Sequence, residues 1–434
     1  HGGQRPGRLD RLGESGEPVT AHDQHVLDAA VGQIRTHPGP ELGAFFEDGG
    51  DHVGSGVAAP GQALVVRVIA QEFVADEADV PQGGFAPLLD HRGDVGERGT
   101  DATLRLLDQR GGDQHGAVIV DDADEVWADS DLILKVKEPV AEEYHRMRDG
   151  QVLFTYLHLA ADPTLTGELL ERGVTSIAYE TVRLDDGSLP LLAPMSEVAG
   201  RLAPQVGAQA LMKPYGGRGV LMGGVPGVRP ADVVVLGGGV SGFNAARVAL
   251  GMGADVTVLD LDAARLRAID TATGGRMRTV MSNAHEVEHA CLRADLVIGA
   301  VLVPGAKAPT LVSNELVSRM RPGSVLVDIA IDQGGCFEDS HPTTHADPTL
   351  GVHDSIFYCV ANMPGAVAHT STHALAGVTL RHALQIADDG WRAACQRDAA
   401  LGRGLTTHAG QLTNAAVAEA TDRPVVSVEE ALAG

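Results

Sequence analysis

The sequence predicts an α/β fold built on a doubly wound parallel sheet, and three observations carry that expectation. Short apolar runs alternate with helical patterns from about residue 117 to about 330, the mark of a parallel sheet covered on both faces. Within that region "ADVVVLGGGVSGFNAARVALGMGADVTVLDLD" (231–262) reads as strand, glycine turn, helix, strand and terminal acid. The composition agrees: 434 residues, 44% hydrophobic and only 3% aromatic, suit a globular chain of two or more domains.

Charge and cysteine content narrow the function. A formal net charge of -25 argues against a nucleic-acid partner or an anionic membrane surface, both of which need a basic face. Cys291, Cys336, Cys359 and Cys395 form no CxxC pair, so reduced structural thiols are expected. There is no basic-then-apolar leader and no apolar run long enough to span a bilayer, and a cytoplasmic location is the expectation.

Residues 1–116 are written in a different alphabet. They contain no Lys, Asn, Met, Tyr, Trp or Cys, and the first methionine is Met147. "ALVVRVIA" (63–70) has the make-up of a strand, whereas "EDGGDHVGSGVAAPG" (47–61) reads as loop or disorder. The segment is either a flexible extension or GC-rich DNA read in another frame or strand, and the restricted alphabet favours the second. His22 and His25 form an HxxH pair without further ligands nearby, so no metal site is expected.

Beyond that point the elements follow in order. Strands are expected at 116–120 ("GAVIV"), 131–136 ("DLILKV"), 151–157 ("QVLFTYL") and 176–182 ("SIAYETV"), with a helix over 162–173. An amphipathic segment over 195–212 precedes the glycine-rich loop "GGRGVLMGGVPG" (216–227). Further strands are expected at 294–301 and 324–332, and a long helical stretch at 373–395. The chain has four lysines, and period-two alternation puts two of them, Lys135 and Lys137, on one face near the end of the 131–136 strand.

The glycine turn is the strongest local signal. Gly237 permits the tight turn, Gly239 lets the backbone approach a pyrophosphate, and Gly242 lets the helix pack close to the strand. The helix start, at Val240 and Ser241, offers unpaired amides to phosphates. Asp260 ends the second strand where a carboxylate accepts from a ribose 2′-hydroxyl and repels a 2′-phosphate, which favours NAD over NADP. An ordinary glycine turn would explain the bare motif, but not the register of strand, helix, strand and acid. The carboxyl ends of the later strands bring Val301, Leu302 and the segment Ile329, Ala330, Ile331, Asp332 beside the same ligand.

Three ionisable residues stand at strand ends. Lys137 offers a cation for a small carboxylate, His158 a proton handler near neutrality, and Asp332 an acid beside the dinucleotide. Singly each has an ordinary structural explanation: an edge lysine, a strand-end histidine, a turn-capping aspartate. Together they suit dehydrogenation of a small amino or hydroxy acid. Lys135 lies deeper in its strand and is the weaker candidate.

The stretches "LKVKEP", "LFTYLHLA", "LPLLAPMSEVAGRLAPQVGA", "GGRGVLMGGVPGV", "GAVLVPGAKAP", "VDIAIDQGGCFE" and "FYCVANMPGAV" closely resemble bacterial alanine dehydrogenase. The resemblance runs collinearly from about residue 117 to the C-terminus. It implies NAD-dependent, reversible oxidative deamination of L-alanine to pyruvate and ammonia by a homohexamer. It also implies a Rossmann NAD domain at 192–368 inserted in a substrate domain at 117–191 and 369–434, behind an atypical segment at 1–116. By motif match, Lys137 binds substrate, His158 exchanges a proton near the reacting carbon, and Asp332 serves the attacking water. NAD contacts fall on Ser196, Val240, Ser241, Asp260, Arg265, Ser282, Val301, Leu302, Ile329 to Asp332, and Val360, Ala361, Asn362 and Met363. No metal is implied.

The match also has gaps. Family members open on a strand with an arginine in a motif like "E-x-R-V-x-x-T-P", which binds the substrate carboxylate. No such stretch stands in residues 1–116, and the family's spacing from Lys137 falls on Glu77. His341 replaces a usual arginine, and Ala368-His369 replaces a proline and a basic residue. Losing one charged partner of a bound carboxylate costs on the order of 2–5 kcal/mol, so the chain is expected to bind NAD but turn alanine over poorly. Two rival readings stay open: an NAD(H)-binding module of transhydrogenase type, and a non-catalytic dinucleotide-binding remnant.

Overall fold

The computed structural model describes residues 66–68, 120, 122–301 and 308–433. His22, His25, Glu77, Leu302 and nearly all of the strand expected at 116–120 lie outside those residues. The strands, in chain order, are β1 (Val66–Val68), β2 (Leu132–Leu134), β3 (Val152–Thr155), β4 (Thr175–Ala178), β5 (Asp232–Leu236) and β6 (Asp255–Asp260). They continue as β7 (Arg278–Met281), β8 (Leu296–Gly299), β9 (Val325–Asp328), β10 (Thr349–Val352), β11 (Ser355–Tyr358), β12 (Leu405–His408) and β13 (Gln411–Leu412).

Two sheets result. One runs β1-β2-β3-β4-β12-β13, parallel through β4 and closed by the antiparallel β12 and β13. The other runs β10-β11-β9-β8-β5-β6-β7, parallel except for the edge strand β10. Every strand of the second sheet falls between β4 and β12 in the chain, so the second unit is inserted in the first. The order reverses between β5 and β8, the topological switch point where such sheets bind ligands.

Alternation within the strands assigns the faces. In the second sheet Val233, Val235, Val256, Val258, Leu296 and Ile298 pack with alanines of the helices Ala193–Ala210 and Val240–Gly251. Their neighbours Val234, Leu236, Leu259 and Val297 face the opposite way, towards Val287, Cys291 and Val317. A strand buried on both faces must read as a continuous apolar run, as "VVVL" does. The first sheet is likewise two-sided, with Phe154 and Ile177 against the long helix Ala368–Asp389 and Leu153 against Leu165 and Leu169. No helix among the described residues is long and apolar enough to cross a membrane.

Several expected elements are shorter than their apolar runs. β2 stops at Leu134, so Lys135 and Lys137 follow the strand rather than sharing one of its faces. β4 gives way to a 3-10 turn, Tyr179–Thr181. β9 ends at Asp328, not at Asp332, because the buried Asp328 carboxylate accepts from the amides of Ala330 (3.0 Å) and Cys336 (2.9 Å) and from the Ser340 hydroxyl (2.6 Å). That carboxylate folds the chain back as a loop, with Asp332 in the 3-10 turn Ile331–Gln333. The helix expected over 373–395 breaks at Gly390, whose φ of 78° is left-handed.

Candidate active site

The glycine turn follows its sequence. Gly237 has φ 95°, and a side chain there would meet the Ala300 carbonyl, which lies across the switch point. A Cβ on Gly242 would collide with the Gly237 carbonyl, so the close approach of helix to turn requires glycine. A Cβ on Gly239 would meet nothing, which leaves room for a phosphate before the helix beginning at Val240 and Ser241.

Asp260 closes the far side of this cradle. Its carboxylate accepts from the Gly238 amide at 2.6 Å and the Asp262 amide at 2.8 Å, and pairs with Arg265 at 3.1 Å. Burial opposes its ionisation, but the two amides and the Arg265 guanidinium hold its pKa below the usual carboxylate value. An ionised carboxylate has about four acceptor sites, and since the part-exposed Arg265 guanidinium bonds both oxygens, a ribose hydroxyl would take a site that Arg265 now fills. These residues fit a nicotinamide dinucleotide.

The remaining predicted contacts gather at the same edge. Ser282 follows β7 and donates its amide to the Asp260 carbonyl at 2.9 Å. Val301 follows β8, and the Ile329 amide reaches the Gly299 carbonyl at 2.9 Å, so Ile329, Ala330, Ile331 and Asp332 start beside it. Val360, Ala361, Asn362 and Met363 follow β11, and the Asn362 amide points at Asp332 Oδ2 (3.4 Å). Ser196 lies one helical turn before Gly200, which packs on the Ser241 carbonyl.

From the first sheet, Lys137 reaches across to this edge. Its ammonium lies 3.1 Å from Asp332 Oδ1, with both side chains part-exposed. Burial disfavours the ammonium, but Asp332 and then Glu138 hold its pKa above the usual lysine value. Lys135 goes elsewhere: it is buried, 2.6 Å from Glu143, and over the Trp127 ring. The two lysines of "LKVKEP" therefore have separate roles, one inside the first unit and one facing the second.

His158 follows β3 and sits beneath Lys137's neighbour. Its Nδ1 is 3.3 Å from Glu138 Oε2, its ring stacks on Tyr156, and its amide donates to Glu180 Oε1 at 2.7 Å. Burial disfavours the imidazolium, yet the Glu138 hydrogen bond and the Glu180 charge raise the pKa above the usual histidine value. Burial also opposes Glu138, but the His158 hydrogen bond and the Lys137 charge bring its carboxyl down to about 2. The neighbouring carboxylate thus favours the protonated form of the His158 ring.

Glu138, Glu180 and Asp328 escaped the sequence reading. Glu138 directly follows Lys137, and Glu180 is a lone acid inside the run "SIAYETV", where no local pattern distinguishes it. Asp328 sits inside the apolar run "VLVDIAI", where a carboxylate must find donors to be tolerated. His341, one of the departures, lies 3.2 Å from the Asp339 carbonyl.

Fold and site together define a two-unit α/β protein with a dinucleotide cradle at a switch point and a Lys-Asp and Glu-His cluster beside it. Comparison with known proteins agrees. The model of the alanine dehydrogenase/PNT C-terminal domain matches residues 203–415, and that of the N-terminal domain matches 107–199. The chain is 64% identical to an alanine dehydrogenase of Mycolicibacterium smegmatis over 73% of its own length and 86% of the relative's. It is 59% identical to one of Mycobacterium tuberculosis, over 82% and 94%. A solved L-alanine dehydrogenase superposes with a TM-score of 0.66 at 50% identity, covering 72% of this chain and 86% of that one. A transhydrogenase from Sinorhizobium meliloti, at 22% identity and a TM-score of 0.55 over 71% and 86%, shares the fold. The chain belongs to the alanine dehydrogenase/PNT family.

Proposed function

We propose that this chain catalyses the reversible, NAD-dependent oxidative deamination of L-alanine to pyruvate and ammonia. The observation that carries the reading is the 3.1 Å pair of Lys137 with Asp332, which joins a substrate-type cation to an acid on the dinucleotide edge. The names of the relatives support the same substrate. The buried, ionised Asp260 supports NAD over NADP, since a 2′-phosphate would meet a negative charge.

When bound, the nicotinamide supplies the hydride acceptor for the α-carbon. Lys137 holds the substrate carboxylate, fixing the reacting carbon within reach and lowering the entropic cost of the encounter. Asp332 takes a proton from the water that adds to the iminium of alanine. His158 in its protonated form, which Glu138 favours, donates to the pyruvate carbonyl oxygen in the reverse direction, and in its neutral form it accepts that proton in the forward one. The enzyme works as a homohexamer in the cytoplasm on this reading, by its likeness to the family.

The test is NADH formation on mixing the purified full chain with NAD and L-alanine. Formation above that with D-alanine or glycerate supports the reading. Hydride exchange only when a second protein subunit is added would replace it with the transhydrogenase role, and NAD binding without turnover of any amino acid would replace it with a binding role.

A further inference from the structure

His158 carries a feature that its chemistry does not explain. Its backbone is left-handed, with φ 49°, a region that non-glycine residues enter rarely and only when their surroundings hold them there. The pairing of β3 with β4 ends at Thr155 and Ala178. Past that point the amides of Leu157 and His158 have lost the ladder. Glu180, in the turn that ends β4, supplies what the ladder no longer does. Its Oε1 accepts from His158 N at 2.7 Å and from Leu157 N at 3.2 Å, and its Oε2 lies 3.3 Å from Leu157 N.

Glu180 is 6% exposed, so its charge is tolerated only through such bonds. Two consecutive amides converging on one carboxylate form a small anion nest. A neutral acceptor would satisfy two amides as well; a carboxylate does so more strongly and adds a charge beside the ring.

We propose that Glu180 is a positioning residue for His158: it grips the left-handed backbone on which the imidazole is mounted and so fixes where the ring presents its proton. This rests on the role given to His158 above. Glu138 then holds Nδ1 from the segment after β2, and Nε2 is left without a hydrogen-bond partner among the described residues. The groups facing the ring are Glu138 and Lys137 from that segment, Glu180 from the turn after β4, and Tyr156 from its own segment after β3. Gln333, beside Asp332, lines the same cavity as His158 and Glu180. Of these, only Glu180 holds both the backbone and a charge next to the ring, and its charge raises the His158 pKa.

The experiment uses the full chain as wild type, E180Q and E180L. Gln keeps one carbonyl oxygen for the two amides but no charge, whereas Leu keeps neither. The His158 ring is followed by NMR on histidine-labelled protein, assigned with H158Q, and the amides by hydrogen exchange. E180Q should lower the His158 titration midpoint by roughly 0.5–1 unit. Both variants should speed exchange at Leu157 and His158 while Leu153 and Phe154 stay protected. E180L should also lose pyruvate reduction by about 100-fold, with NADH affinity retained. An unchanged midpoint together with unchanged exchange in E180Q overturns the proposal, and that arm stands even if E180L fails to fold. Neither the titration midpoint nor the exchange rates need turnover, so wild-type protein that is inert towards pyruvate would sink the proposed function while the NMR and exchange results still decide the role of Glu180.

Discussion

At the scale of single residues, the site is a set of charges that fix one another's protonation. Lys137 pairs with Asp332 at 3.1 Å, so the carboxylate of a substrate must compete with Asp332 for the ammonium. Lys137→Met should reduce kcat/KM for both alanine and pyruvate by roughly 30-fold or more, the equivalent of about 2 kcal/mol. Steady-state kinetics would show the loss, and NADH fluorescence titration should show cofactor affinity unchanged. Glu138 acts on the other half of the cluster. Removing its charge in Glu138→Gln destabilises the imidazolium, so the His158 pKa falls. Pyruvate reduction needs the protonated ring and is lost as pH rises through that pKa. The alkaline limb of the pH profile should therefore move to lower pH in the variant, and a limb that stays in place would remove Glu138 from the role.

At the scale of elements, the turn after β5 is held by two glycines with different reasons for being glycine. Gly242→Ala drives a methyl group into the Gly237 carbonyl, so both the turn and the helix Val240–Gly251 must shift. Overpacking of that kind costs about 1–3 kcal/mol, and the variant should melt several degrees lower and bind NADH poorly. Gly239→Ala has open space for its methyl and should keep the melting temperature. Its NADH affinity should nevertheless fall, because the methyl fills the place a pyrophosphate needs. Calorimetry on the two variants separates the packing glycine from the binding one. The loop after β9 depends instead on Asp328, whose ring of donors decides where the strand stops and where Asp332 begins.

At the scale of the whole molecule, the candidate site joins two sheets. Lys137 and His158 belong to the first, while Asp332 and the dinucleotide edge belong to the second, and the insertion between β4 and β12 brings them together. A ligand that binds the folded chain alone stabilises it by about 2.7 kcal/mol at one hundred times its Kd. NAD should raise the melting temperature accordingly, and NADP at the same concentration should raise it far less, because of Asp260. Differential scanning fluorimetry with the two cofactors checks this, and equal shifts would remove the basis for preferring NAD.

The sequence by itself determined the dinucleotide turn, its two strands, its helix and the acid at 260, because each depends on neighbours within one βαβ unit. It also marked Lys137, His158 and Asp332, since an ionisable residue at the end of an apolar run stands out whatever lies around it. Only the tertiary structure decided that Lys135 and Lys137 part company, that β9 ends at Asp328, and that Glu138 and Glu180 take hold of His158 from two directions. The reason is that a strand ends where its amides find better partners than the ladder. Those partners here are the Asp328 carboxylate at the end of β9 itself and the Glu180 carboxylate from the turn after β4, and which amides each captures is set by packing that no local pattern contains.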